Sequence, residues 1–369
     1  MNDNDRTDAQ FRRDRAPGPR KGRGAVIAPT PRYSALAREA FDDGWEKTDE
    51  ALPPLDTRIR EEQARSLLTR NESPDVPFDQ SVNPYRGCEH GCVYCFARPS
   101  HAWLDLSPGL DFERLLSAKV NAAERLRQEL SARGYRCRPI AIGASTDAYQ
   151  PIERRYRLTR ALLELMVETR HPCTLITKSA LIERDLDLLV QLASDDLVEV
   201  HVSLTTLDSA LARRMEPRAT APARRVEVIR RLVNAGVPTS VIVAPIIPGL
   251  TDQELERILE MAAAAGAQRA SYVVLRLPLE ISPMFKAWLE HHYPLKSARV
   301  MNLMRGMHGG KDYDSDFAHR MTGQGPLAML LARRFETASR RLGLAMDRRS
   351  LATTHFHPPA PDTPQFSLF

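Results

Sequence analysis

Between about residues 81 and 278, short apolar or β-branched runs alternate with stretches of helical period. The runs fall at 81–85, 139–143, 174–177, 198–204, 239–247 and 271–277. Residues 111–133 carry Phe112, Leu115, Leu116 and Ala123 at helical spacing before Gly134, which predicts one long helix. Residues 158–170 and 181–193 follow the same period. Pro222 stands where the next helix would begin and Gly236 where it would end. Thr251 and Glu254 have capping-box spacing, with Gly266 as the stop. Beyond 280 the period stays helical, around 285–291, 298–307 and 327–342. Six strand–helix repeats call for parallel pairing and right-handed crossovers. Eight would close a full barrel, so six predict an α/β fold built as a partial (β/α)6 TIM-like barrel, or else a doubly wound sheet. In both, ligands sit at the carboxyl ends of the strands.

Composition divides the rest of the chain. Residues 1–50 read as a disordered basic arm, with Arg12, Arg13, Arg15, Arg20, Lys21 and Arg23; it is either a solvated tail or a nucleic-acid arm. Residues 51–80 lead in, 81–280 hold the repeat, 281–350 form a helical C-terminal extension, and 351–369 form an extended Pro-rich tail. A net charge of +5 with 27% charged residues permits nucleic-acid contact without demanding it. Aromatics at 6% suggest no stacking platform for single strands. No apolar run reaches membrane-spanning length and the first residues are polar, so the expectation is a cytoplasmic protein with no membrane partner.

The five cysteines narrow the chemistry. Cys88, Cys92 and Cys95 form a C-x3-C-x2-C cluster just after the first predicted strand, and an odd, clustered set does not suit a secreted disulfide framework. Thiolates three and four residues apart can converge on one metal. A closed structural zinc site and most iron–sulfur clusters take four protein ligands, so three predict a metal with one open position. A zinc site completed by His90 is the alternative, and it would make the chain a non-enzymatic, zinc-stabilised nucleic-acid-binding adaptor. His90 lies between the first two cysteines, where joining them is cramped; a hydrogen-bonding role behind the metal ligands is its other reading. His291, His292, His355 and His357 are read as surface residues.

The cysteine loop, the repeat and their order resemble the radical S-adenosylmethionine (SAM) superfamily over roughly residues 69–278, with Tyr94 as the aromatic before the last cysteine. Ser73-Pro-Asp-Val-Pro-Phe78, Ala97-Arg-Pro99 and Ser107-Pro-Gly-Leu-Asp-Phe112 are similar to the spore photoproduct lyase-like group, often labelled DNA repair photolyases. The resemblance implies a [4Fe-4S] cluster on Cys88, Cys92 and Cys95, SAM on its fourth iron, and reductive cleavage of SAM to a deoxyadenosyl radical that abstracts hydrogen. It further implies a reductant such as flavodoxin or ferredoxin, and nucleic acid as the substrate class. By the same resemblance Tyr94, Ser145, Thr146, Asp147, Lys178 and Ser203 are expected against SAM. Residues 145–147 are also a natural helix N-cap. Glu216 and Arg225 read mainly as surface charge, and residues 244–249 as a rigid turn or adenine-pocket wall. Members of the group place a hydrogen-donating cysteine near the end of strand two; aligned on Asp147 and Lys178, that position is Ala144, so the lyase's own reaction is not expected. Finally, Gln365, Phe366, Ser367, Leu368 and Phe369 resemble the pentapeptide by which bacterial repair proteins bind the DNA sliding clamp.

Overall fold

A computed structural model describes residues 20–34 and 56–359. Its strands are β1 (Arg58–Glu62), β2 (Leu68–Arg70), β3 (Gln80–Val82), β4 (Tyr85–Arg86), β5 (Leu115–Lys119), β6 (Ile140–Ile142), β7 (Cys173–Thr177), β8 (Val198–Ser203), β9 (Thr239–Ile246) and β10 (Arg269–Val274). The main sheet runs β10-β9-β8-β7-β6-β3-β2. Its pairs from β3 to β10 are all parallel, and β2 joins β3 antiparallel. The six expected runs are these six parallel strands, and β10 and β2 remain edges. The fold is the α/β partial barrel that the repeat predicts.

The pattern of burial explains the pairing. Val82, Ile140, Ile142, Leu175, Val198, Val200, Val202, Val241 and Val243 are all 0–1% exposed. The residue between the two isoleucines of β6, and Glu199 in β8, are buried too, so these strands are covered on both faces. The helices Leu158–Thr169, Pro222–Asn234 and Leu255–Ala264 bury one stripe each, including Leu162, Met166, Ile229 and Ile258. Helices Ile281–His292, Pro294–Met307 and Gly325–Arg341 follow the last strand. This segment also reaches across the open side of the sheet. Val274 of β10 donates its amide to the Met321 carbonyl at 2.8 Å. The neighbouring Arg320 grips Asp75, in the β2–β3 connection, with a 2.6 Å bond to one carboxylate oxygen and a second bond to the other. Asp75 belongs to the 73–78 motif, which therefore bridges the two edges of the sheet.

Several expectations need correction. Residues 111–133 are not one helix: a short helix Leu110–Arg114 gives way to β5 and then to the helix Ala122–Leu130. In β5, Leu116 and Ala118 are buried in alternation, parallel to β1 and antiparallel to β4. The capping box does not form. Thr251 instead accepts from the Ile247 amide, and Glu254 accepts from the Thr206 hydroxyl and the Leu207 amide. Residues 20–34, assigned to a disordered arm, are packed, with Ala25 1% exposed. Other residues of the arm, and residues 365–369, lie outside the described residues.

Candidate metal and cofactor site

The cysteine loop follows β3, at the carboxyl end of the first parallel strand, and is fastened from three directions. Arg98, fully buried, donates from Nε to the Cys92 carbonyl at 2.8 Å and from its fork to the Pro108 and Gly109 carbonyls at 3.0 and 2.9 Å. Glu113, equally buried, holds Arg98 at 2.6 Å. The other face of the Glu113 carboxylate accepts the amides of Gly24 and Ala25 at 3.0 and 2.9 Å. Gly24 crosses Gly91 so closely that a Cβ there would lie 1.9 Å from the Gly91 carbonyl oxygen. From a third side, the Cys88 amide donates to the Phe112 carbonyl at 2.9 Å, and Gln150 brackets the loop through the Glu89 amide and the Gly87 carbonyl.

Cys88 and Cys92 are buried and Cys95 is half-buried. Burial pushes the Cys88 thiol well up, with further contributions from Asp147 and from Cys92 and Cys95; Cys92 is pushed up to about 12 by burial, then Glu216. The three thiols thus sit within electrostatic reach of one another, a donor set that fits a cation binding them as thiolates. They are not drawn into a preformed cage: no three Cys, His, Asp or Glu side chains group as a metal site among the described residues. All five cysteines are free thiols.

His90 Nδ1 lies 3.2 Å from Asp147 Oδ2, so that ring nitrogen is engaged by the carboxylate. Asp147 also accepts from the Thr177 hydroxyl at 2.7 Å, the Lys178 amide at 2.8 Å and the Tyr149 amide at 2.9 Å. Burial alone would raise this carboxyl; the His90 charge and hydrogen bonds from His90, Lys178 and Thr177 outweigh it and hold the group at about 2. With its acceptor sites taken by the protein, Asp147 ties β6, β7 and the cysteine loop together. Ser145 is exposed at the end of β6; its amide and that of Thr146 donate to Asn83 Oδ1 at 2.8 and 3.3 Å.

Beyond β7 and β8 lies a buried charge network built on residues that read as surface charge in the sequence. Glu216 and Arg225 are 2% and 1% exposed and ion-paired. The Tyr94 phenol donates to Glu216, and the Thr205 hydroxyl lies 2.8 Å from both Glu216 Oε1 and the Ala244 carbonyl. Burial would raise Glu216, but Arg225 and Lys178 hold it at about 2. Lys178 Nζ stands 5.9 Å from the Tyr94 ring centre and has no ion-pair partner among the described residues. Ser203 donates to the Ala244 carbonyl at 3.2 Å, leaving only its lone pairs for a ligand. Cys88, Tyr94, Asp147 and Lys178 are therefore brought into one connected site. Ser203 lies at its β8 rim, and Ser145 at its β6 rim. Ala144, half-buried, carries no thiol; Cys137 and Cys173 stand at the amino-terminal ends of β6 and β7, the opposite end of the sheet.

Residues 82–262 match the radical SAM superfamily. The chain belongs to that superfamily. It is 38% identical over 232 residues to an uncharacterized protein of Mycobacterium tuberculosis, covering 62% of this chain and 68% of the relative. A radical SAM Nα-GlyT isomerase of Pseudomonas phage M6 is 28% identical over 196 residues, 51% of this chain and 38% of that protein. Among solved structures, spore photoproduct lyase complexed with dinucleoside spore photoproduct superposes with a TM-score of 0.52 at 15% identity, over 78% of this chain and 80% of the lyase. A lyase variant with bound AdoMet and dinucleoside spore photoproduct gives 0.51 at 16% identity, with the same coverage. The radical SAM chain shares the lyase fold, and its membership in the superfamily makes it an enzyme of the radical SAM type. No described helix is long and apolar enough to cross a membrane.

Proposed function

We propose that this protein holds a [4Fe-4S] cluster on Cys88, Cys92 and Cys95 and uses it with SAM to abstract a hydrogen atom from nucleic acid, in DNA repair or modification. When bound, the two cofactors supply a deoxyadenosyl radical by one-electron cleavage of SAM, the electron coming from a donor such as flavodoxin or ferredoxin. Every other requirement falls on the chain. Arg98 and Glu113 fix the backbone of the loop, so that binding one cluster has to reorient the three side chains but not rebuild the loop. Lys178 offers an ammonium to the SAM carboxylate. Ser145 and the 144–147 turn, held by Asn83, offer backbone and hydroxyl groups to the SAM amino group, while Asp147 positions that turn rather than binding. Tyr94, fixed by Glu216 and Thr205, walls the site beside Lys178. Ser203 offers lone pairs to the ribose. The buried β-branched interior keeps stray hydrogen donors away from a carbon radical.

The observation that carries this reading is the three-cysteine loop with buried thiols at the carboxyl end of the first parallel strand, in a chain of this superfamily. The nucleic-acid class draws support from the net charge of +5 and from the lyase of shared fold, which is known with a dinucleoside bound. Ala144 argues for a reaction other than the lyase's, because a methyl group returns no hydrogen atom. A cytoplasmic setting suits the five free thiols. Recruitment to the sliding clamp by Gln365–Phe369 is a separate expectation. Deuterated DNA and RNA oligonucleotides, incubated with reconstituted protein, SAM and dithionite, test the substrate class. Deuterium in the recovered deoxyadenosine is the expected result; deoxyadenosine free of deuterium from every nucleic acid tried would refute it.

A further inference from the structure

The sequence contains few aromatics, yet several stand unshielded around the cysteine loop. Trp103 is 71% exposed and Tyr33 is 55% exposed, although burying such rings stabilises a fold more than almost any other side chain. The two come from segments 70 residues apart in the chain and stack with centroids 4.4 Å apart and planes tilted by 30°. Arg32 lies 5.4 Å from the Tyr33 ring centre, held by the Pro99 carbonyl at 3.3 Å and by Glu280 at 2.7 Å. Phe96, the residue after Cys95, is 48% exposed and has the Arg276 guanidinium 5.2 Å from its centre. Arg32 contacts Pro99, at the start of the turn that follows Phe96, so the two cation-on-aromatic groups flank the same stretch of the loop.

From this we infer that Tyr33, Trp103 and Arg32, with Phe96 and Arg276, form a stacking face for single-stranded nucleic acid beside the cysteine site, gripping nucleotides that flank the one undergoing reaction. Exposed ring edges and faces with guanidinium groups beside them take bases and neighbouring phosphates without regard to sequence. Aliphatic partners would favour a continuous apolar patch instead, without the arginines that stand over Tyr33 and Phe96. The inference rests on the nucleic-acid reading above and deepens it, since it says where the strand lies. It is separable from cluster chemistry, because none of these side chains holds metal or SAM.

Anisotropy of a labelled short single-stranded oligodeoxynucleotide with the full chain provides the test, alongside SAM-dependent deoxyadenosine formation without substrate. Trp103→Ala and Tyr33→Ala should each weaken binding roughly tenfold, as loss of a stacked base predicts. Trp103→Phe, which keeps a ring, should bind within a few-fold of wild type, and substrate-free deoxyadenosine formation should not change in any variant. Wild-type binding with undiminished affinity in Trp103→Ala and Tyr33→Ala would overturn the face while leaving the nucleic-acid reading standing. No binding by the wild type to DNA or RNA would overturn both. Competition for this face by a flavodoxin, with no effect of oligonucleotide, would assign it to the electron donor and overturn the proposal.

Discussion

Arg98 donates to the Cys92 carbonyl at 2.8 Å from within a fully buried ion pair with Glu113. The contact makes the middle cysteine's backbone a structural element of the core, so that loop position and fold stability are coupled. Arg98→Met would leave Glu113 buried with only two amides and the Cys92, Pro108 and Gly109 carbonyls short of a donor. A loss of about 3–5 kcal/mol is expected from breaking such a pair. Denaturant unfolding of the apoprotein measures it, and the same variant should retain less iron and acid-labile sulfide after reconstitution. Arg98→Lys should recover little, because a single ammonium cannot reach three separate carbonyl directions and a carboxylate.

Lys178 is the one cation of the site without a carboxylate in contact among the described residues. Lys178→Met keeps its length and removes its charge. SAM affinity, read by calorimetry on the reconstituted protein, should fall at least about tenfold, the size of one charge-assisted hydrogen bond. Iron and sulfide content should stay at wild-type levels. Unchanged affinity would remove Lys178 from the SAM site.

Gly24 passes the cysteine loop where no side chain fits, since an added Cβ would sit 1.9 Å from a backbone oxygen. Gly24→Val must therefore displace residues 20–34 from Glu113 or shift the loop itself. Faster proteolysis within 20–34 and a lowered melting temperature are expected, together with quicker loss of the cluster's visible absorbance in air. A variant as protease-resistant as wild type would show that the crossing is looser than described.

His171 supplies a pH test at the other end of the sheet from the cysteine loop. It is fully buried, with Nδ1 2.9 Å from the Pro172 carbonyl and Nε2 2.8 Å from the Tyr135 hydroxyl. Burial lowers it from 6.5 to about 4. The unfolded chain therefore binds the proton more tightly, and its stabilising contribution is complete above pH 6.5 and is lost as pH falls toward 4. The loss attributable to this group reaches roughly 3 kcal/mol at the acid end. Unfolding free energies of wild type and His171→Asn across that range should converge as the pH drops; parallel curves would contradict the assignment.

Much of this molecule was legible before its structure. The six parallel strands could be read because strands buried on both faces are short, largely apolar runs, and the three cysteines fall, as their place after the first run suggests, on a loop at that strand's carboxyl end. Residues 115–119 were not, since Leu115 and Leu116 fit a helical stripe and a two-residue alternation equally well, and only pairing with β1 decides. Glu216 and Arg225 look alike on a surface or in a core when read as letters; a carboxylate and a guanidinium are distinguished by the partners that burial gives them. The surroundings of Asp147 cannot be read from its neighbours in sequence, because the donors that saturate it come from His90, Tyr149 and the Thr177–Lys178 pair, three separate segments. The exposure of Tyr33 and Trp103 is not legible in the sequence, because a low aromatic content says nothing about where the few rings stand.

The central claim is that Cys88, Cys92 and Cys95 carry a cluster that cleaves SAM. Anaerobic reconstitution with iron and sulfide, followed by dithionite and SAM, tests it by quantifying deoxyadenosine beside acid-labile sulfide. Wild-type protein should contain the cluster and form deoxyadenosine, and Cys92→Ala should do neither. Zinc without labile sulfide in the wild type, or undiminished deoxyadenosine from Cys92→Ala, would contradict the account.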